Sequence, residues 1–315
     1  MSGKVVVTPR SMSARDDTPF VARLREAGYE VVRPSPGKQP NEDQLIEALR
    51  DAVGYIAGVE PITRRALEGA ARLRAISRNG AGIDNIDMDA TRELGITVVR
   101  AAGANARGVA ELAIGLVLAL FRQVPYMSTA LKQGQWERSK GLELSGRTLG
   151  LIGCGKIGQE VGRLATGLDM QVLGYDPYPD KDFSPPAKFR YAELDEAVCR
   201  SDAVSLHCPP RSDRRPVLDA DRVGAMKNGA VIVNTARAEL VDTTAVLGAL
   251  NDGRLRGFAV DVFEREPPEV NELLSHPRVI ATPHVGGYTE ESVHRASEAA
   301  VTNLIEELSH EPTPG

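Results

Sequence analysis

The chain has 315 residues, 42% apolar and 26% charged, enough to bury roughly three quarters of its unfolded surface and to form two domains. A net charge of −5 with acids and bases interspersed offers no basic stripe for nucleic acid and no polybasic membrane patch, so a small-molecule partner is expected. Cys154, Cys199 and Cys208 stand far apart without C-x-x-C or metal-ligand spacing; no disulfide framework and no metal is indicated, and a reducing cytoplasm fits.

From the N-terminus, "MSGKVVVTPR" is too weakly apolar for a signal peptide. Short β-branched runs then alternate with amphipathic segments throughout, the pattern of parallel sheets with helices on both faces, and the class is α/β. "KVVVT", "YEVV", "VGYIAG" and "LRAIS" read as strands of a first sheet. A helix between the first two is expected to be capped by Thr18, opened by Pro19, packed through Phe20, Val21 and Leu24, and stopped at Gly28. Val109, Leu112, Ala113, Leu116, Val117 and Leu120 form a helical stripe ending before Pro125. That apolar stretch is too short to span a membrane and carries Glu111.

A second series follows, "RTLGLIG", "QVLGYD", "AVSLHC", "AVIVNT", "GFAVDVF" and "VIATPH", with the spacing of a six-stranded doubly wound sheet. Residues 176–190, "DPYPDKDFSPPAKFR", read as a proline-rich surface loop. Residues 289–309 read as a helix, followed by the frayed tail "SHEPTPG".

Gly153, Gly155 and Gly158 form G-x-G-x-x-G directly after an apolar strand and at the start of a helix. The first glycine suits a tight turn, the second backbone approach to a pyrophosphate, and the third close packing of helix on strand. Asp176 closes the next strand at the distance expected of a carboxylate that binds the adenosine ribose hydroxyls and repels a 2′-phosphate, which favours NAD over NADP. The bland alternative is that Asp176 only starts the turn "DPYP". Cys154, between the glycines, reads as a small residue rather than a reactive thiol.

Three consecutive strands then end in groups that carry chemistry. "VNTAR" delivers Arg237, whose planar fork can hold a carboxylate and polarise a neighbouring carbonyl, or else form a surface ion pair. The next strand is followed by Asp261, Glu264 and Glu266, and the last by His284 in "TPHVGG". An imidazole oriented by a carboxylate makes a proton donor that works near neutral pH, and His284 with Glu266 fits. His207 also ends a strand but precedes two prolines and ranks second; His276, His294 and His310 read as solvated.

Taken in order, "NGAGIDNID" (79–87), "GLIGCGKIG" (150–158) with "YDP", "SLHCP", "VNTAR", "VDVFEREP" and "TPHVGG" resemble the D-2-hydroxyacid dehydrogenase family over nearly the whole chain. The resemblance implies catalytic roles for Arg237, Glu266 and His284 and a place for Asp261 near the nicotinamide carboxamide. It implies NAD contacts from Gly153, Gly155, Lys156, Ile157, Gly158, Asp176, His207, Cys208, Pro209, Thr235, Ala236 and Gly286. The substrate carboxylate would meet the backbone of Asn79, Gly80, Ala81 and Gly82, together with Arg237 and His284.

The implied architecture is a flavodoxin-like substrate domain over 1–101 and 288–315, a Rossmann dinucleotide-binding domain over 102–287, and a substrate cleft between them. The implied activity is NAD-dependent hydride transfer to and from a small D-2-hydroxy acid by a cytoplasmic homodimer, without a C-terminal regulatory domain. Two departures stand out. Ala238 replaces the usual glycine and would be strained at positive φ, and Arg107 replaces a small or apolar residue, either to meet a second acidic group of the substrate or to be solvated. An NAD-sensing binding protein similar to C-terminal-binding corepressors is the alternative. A relative of S-adenosylhomocysteine hydrolase would share the dinucleotide fold but not the catalytic pieces.

Overall fold

The computed structural model describes residues 3–310; of the expected tail, residues 311–315 lie outside them. The chain divides into two compact units, one reaching to Asn105 and resuming at Glu290, the other Ala106–Thr289.

The first unit is built on β1 (Lys4–Val7), β2 (Glu30–Val32), β3 (Ala52–Ala57), β4 (Ala75–Arg78) and β5 (Thr97–Arg100). All are parallel in the order β2-β1-β3-β4-β5, the flavodoxin-like arrangement. The helix Pro19–Glu26 starts as expected: the Thr18 hydroxyl accepts from Val21 N, and Gly28 beyond its end has φ 89°. The helix Glu290–Ser309 lays Ala300, Val301, Leu304 and Leu308 onto Val5, Val7, Ile56 and Ala75. β5 was not among the expected strands. It is a partly exposed edge strand, so only half of its short pattern is apolar.

The second unit holds β6 (Thr148–Ile152), β7 (Gln171–Tyr175), β8 (Phe189–Tyr191), β9 (Ala203–Leu206), β10 (Ala230–Asn234), β11 (Leu255–Val260) and β12 (Val279–Ala281). They run parallel in the order β12-β11-β10-β9-β6-β7-β8, the Rossmann order with seven strands instead of the expected six. The extra strand, β8, begins at the end of the segment read as a loop. Its three residues follow two prolines and carry no readable period. Packing makes the strand, because the buried Phe189 ring fills the space left by Gly162 and Gly174.

The helix Ala106–Arg122 buries Val109, Ala113, Leu116, Val117 and Leu120 against β10, β11 and the helix Lys156–Gly167. Gln123, at φ 52°, then turns the chain into a second helix, Val124–Lys132. Pro125 stops the first helix and also sits in the first turn of the second, where a missing N–H costs nothing. No single helix among the described residues is long and apolar enough to cross a membrane.

Candidate active site

β10, β11 and β12 are neighbours in register, with Asn234 opposite Val260 and Val260 opposite Ala281. Residues just past those ends therefore emerge at one edge of the sheet, where open parallel sheets bind ligands. His284 Nδ1 lies 2.9 Å from both carboxylate oxygens of Glu266. A carboxylate only accepts, so Nδ1 carries the hydrogen, and Nε2 is the nitrogen available for proton exchange. Glu266 is itself oriented: its Oε1 also accepts from Phe263 N at 3.2 Å. Both side chains are about half exposed, within reach of a reactant.

The loop carrying His284 is held from below. Asp261, 1% exposed, accepts through Oδ1 from Thr282 Oγ1 at 2.6 Å and Val285 N at 2.9 Å, and through Oδ2 from Gly286 N at 2.8 Å. His284 has φ 53°, which costs a residue other than glycine about 1 kcal/mol. Hydrogen bonds to an ionised acceptor contribute roughly 1.5–3 kcal/mol each. The clasp outweighs the strain, so the imidazole is fixed in an otherwise unfavourable backbone conformation. Sequence reading puts Asp261 near the nicotinamide carboxamide; in the structure its carboxylate accepts three hydrogen bonds from the His284 loop.

Arg237 follows β10 in extended conformation, φ −148° and ψ 143°, and its Nη1 donates to Ala236 O at 2.6 Å. Its turn is shaped by Asn234, which donates from Nδ2 to Arg237 O at 2.8 Å and accepts from Ala236 N at 3.1 Å. Neither Asn234 nor Thr282 was singled out from sequence. A polar residue closing an apolar strand was the available signal in "VIVNT". Ala238 opens the 3₁₀ turn Ala238–Leu240 and is absent from the positive-φ residues, so the strain considered for it does not arise.

The glycine turn after β6 follows the fingerprint. Gly153 has φ 94°, and a Cβ there would lie 2.6 Å from Cys208 N and His207 C; one on Gly158 would lie 2.0 Å from Gly153 O. A Cβ on Gly155 would meet nothing within 4 Å, leaving open space at the cap of the helix Lys156–Gly167. Asp176 is held by Cys154 N and Tyr178 N, one amide to each oxygen at 2.8 Å, with lone pairs remaining for hydroxyl donors. Lys156 and Ile157 form the first helical turn, and Thr235 and Ala236 continue from β10. Gly286 packs its backbone on Asp261. Cys208 and Pro209 follow His207 after β9.

Two buried polar atoms at this edge, His207 Nδ1 and Thr235 Oγ1, lack a protein partner. They sit one residue past the paired Leu206 and Asn234. The turn, the carboxylate and these orphaned atoms fit a dinucleotide. Burial pushes His207 down to about 3, and its Nε2 is bonded to Ser205 Oγ at 2.8 Å. A neutral imidazole so held is no proton donor, consistent with its second rank. Burial, and then the charge of Asp176, pushes the Cys154 thiol up to about 12; burial raises Cys208 to about 11. Neither is a nucleophile near neutral pH.

Of the other expected residues, Asn79, Gly80, Ala81 and Gly82 belong to the first unit, just past β4. There Asn79 N donates to Ala57 O at 2.9 Å and Gly80 has φ 150°. Arg107 is engaged within the second unit, with Nε 2.5 Å from Glu111 and Nη1 3.5 Å from Glu160. His276 is not simply solvated, because its Nδ1 accepts from Arg278 N at 3.1 Å. No group of three or more metal-ligating side chains occurs among the described residues.

Residues 114–286 match the family model described as D-isomer specific 2-hydroxyacid dehydrogenase, NAD binding domain. The chain is 41% identical over 271 residues to D-3-phosphoglycerate dehydrogenase of Methanocaldococcus jannaschii, covering 85% of this chain and 51% of that protein. It is 38% identical over 274 residues to hydroxypyruvate reductase of Thermotoga maritima, covering 85% of this chain and 88% of that one. A crystal structure of a Thermus thermophilus protein superposes with TM-score 0.85 at 34% identity, over 97% of this chain and 96% of that one. The chain thus spans about half of the phosphoglycerate dehydrogenase and most of the reductase.

Proposed function

The chain belongs to the D-2-hydroxyacid dehydrogenase family, and on that premise we propose that it transfers a hydride reversibly between NAD(H) and a small D-2-hydroxy acid or its 2-oxo acid, of the glyoxylate, hydroxypyruvate or phosphoglycerate type. The observation that carries this reading is the His284–Glu266 pair, 2.9 Å apart at the sheet edge that also presents Arg237 and the glycine turn.

When bound, NAD(H) supplies or receives the hydride; the chain does the rest. Arg237 holds the substrate carboxylate and polarises the adjacent oxo group. The Nε2–H of His284 is given to that oxygen as it becomes a hydroxyl, and is recovered in the oxidative direction. Glu266 keeps the ring in one tautomer, while Asp261 and Thr282 hold its loop. Asn79, Gly80, Ala81 and Gly82 supply amides for the substrate carboxylate. Gly153, Gly155, Lys156, Ile157 and Gly158 receive the pyrophosphate, and Asp176 the adenosine ribose; His207, Cys208, Pro209, Thr235, Ala236 and Gly286 complete the cofactor contacts. The substrate domain comprises 1–101 and 288–315, the dinucleotide domain 102–287.

A homodimer formed through the dinucleotide domain is part of the proposal. Its support is the exposed apolar surface of Val124, Leu131 and Trp136, the last 82% exposed. A cytoplasmic setting agrees with three free cysteines. The named relatives above are a dehydrogenase and a reductase, which leaves the NAD-sensing alternative without support.

A panel of 2-oxo acids followed by loss of NADH absorbance, repeated with NADPH, tests the reading. Turnover of at least one acid with NADH is expected, and no turnover across the panel overturns it.

A further inference from the structure

The segment after β7 leaves the sheet at Asp176 and rejoins the core at Phe183, which is 8% exposed and packs edge-on against Phe189 with ring centroids 5.5 Å apart. Between those two residues, Pro177, Tyr178, Pro179, Lys181 and Asp182 are exposed, and only Asp180 is partly buried. Asp180 also makes the one side-chain hydrogen bond from residues 177–182 to the rest of the unit among the described residues. Its Oδ2 accepts from Gln159 Nε2 at 3.1 Å, while its Oδ1 accepts from Asp182 N at 3.0 Å.

Gln159 stands in the first turn of the helix Lys156–Gly167 and is 6% exposed. A side-chain amide buried to that extent needs acceptors for both its hydrogens. The second acceptor is Cys154 O, 3.3 Å from the same Nε2, and Cys154 N in turn donates to Asp176 Oδ2 at 2.8 Å. Both polar backbone atoms of Cys154 are therefore tied to one short segment, the N–H by Asp176 and the C=O by Asp180 through Gln159. Cys154 lies between Gly153 and Gly155, which leave the turn little stiffness of its own. The bond from Gln159, then the Asp182 amide and the charge of Lys156, hold the Asp180 carboxyl below the usual carboxylate range. Asp180 is thus an ionised acceptor, and such bonds are roughly twice as strong as those between neutral groups.

We propose that Asp180 is a positioning residue for NAD and a second determinant of its selection over NADP: through Gln159 it fixes the glycine turn against the 176–183 segment and so holds Asp176 in place for the adenosine ribose. The proposal rests on the reading of Asp176 as the ribose ligand. Without the bridge, the turn and the segment must be ordered each time the cofactor binds, at a cost in affinity. A loosened Asp176 also repels a 2′-phosphate less, so NADPH loses less affinity than NADH. Selectivity then depends on two carboxylates, one for the ribose and one for the turn.

Fluorescence titration of the full chain with NADH and with NADPH, for wild type, Asp180→Ala, Asp180→Asn and Asp176→Ser, tests this. Asp180→Ala is expected to weaken NADH binding about tenfold and NADPH binding less, to raise KM for NADH with kcat little changed, and to leave urea unfolding of the cofactor-free chain close to wild type. Asp180→Asn keeps an acceptor for Gln159 and should recover most of the lost affinity. Wild-type NADH affinity in Asp180→Ala beside weakened binding in Asp176→Ser overturns the proposal and leaves the ribose reading standing; wild-type affinity in both variants overturns the two together. A fall in unfolding free energy with the ratio of NADH to NADPH affinity unchanged also overturns it, because Asp180 would then only support the fold.

Discussion

Both units end their parallel strands in charged and polar side chains, yet the two edges are built differently. In the first, Glu60 is 2% exposed, and its Oε1 accepts from the Thr8 and Tyr55 hydroxyls and, at 2.8 Å, from Gly58 N. Every donor comes from the fold itself, so the carboxylate ties the ends of β1 and β3 together. In the second, Glu266 and His284 are half exposed, and the histidine keeps one ring nitrogen for exchange. A buried carboxylate bonded only to its own fold is architecture; an open pair oriented from behind is equipped for proton transfer. Position at a strand end does not distinguish them, but burial does.

The sharpest way to break this contrast is a pair of substitutions. His284→Ala should lower kcat by roughly a hundredfold to ten-thousandfold with little change in unfolding free energy. Glu60→Ala removes the buried acceptor shared by Thr8, Tyr55 and Gly58 N and should cost about 1–3 kcal/mol of stability while largely sparing kcat. Steady-state kinetics and urea unfolding on both variants decide it, and an equal kcat loss in the two would erase the distinction.

Next in size is the contrast between glycines. A Cβ at position 158 meets the Gly153 carbonyl at 2.0 Å, whereas one at position 54 meets the end of the Leu308 side chain at 2.7 Å. Gly158→Ala should cost roughly 1–3 kcal/mol and weaken NADH binding, because backbone must move. Gly54→Ala should cost less, because a leucine can turn. Fluorescence titration with NADH and thermal unfolding report both.

Asp176→Ser should relax the preference for NADH over NADPH by about tenfold, read as the ratio of kcat/KM values. The last effect is on pH dependence. His207 is pushed down to about 3 by burial, so between that value and the unfolded histidine range near 6.5 the unfolded chain binds more protons. Stability is therefore lost as pH falls through that window, by at most about 1.4 kcal/mol per pH unit, and His207→Asn should flatten it in urea unfolding at a series of pH values. An unchanged slope would show that other groups set the acid limit.

The sequence carried much of this on its own. Period and punctuation specified the Pro19 helix, the Ala106 helix and ten of the twelve strands among the described residues, because those elements are apolar in a regular repeat. The strand-end spacing pointed to Arg237, Glu266 and His284 without any contact being visible. β5 and β8 escaped because short edge strands owe their pairing to neighbours rather than to their own pattern. Asn234 and Thr282 escaped because a single polar residue has no period.

What the amino-acid order decided by itself was therefore whatever repeats or sits next to its cause: strands, helices, the glycine turn, and the delivery of an arginine, a glutamate and a histidine to successive strand ends. Only the tertiary structure decided that Asp261 grips the His284 loop, and that Glu60 is buried and bonded to its own fold while Glu266 is open. Those facts depend on residues distant along the chain meeting at hydrogen-bond range, where burial sets the strength of each charge.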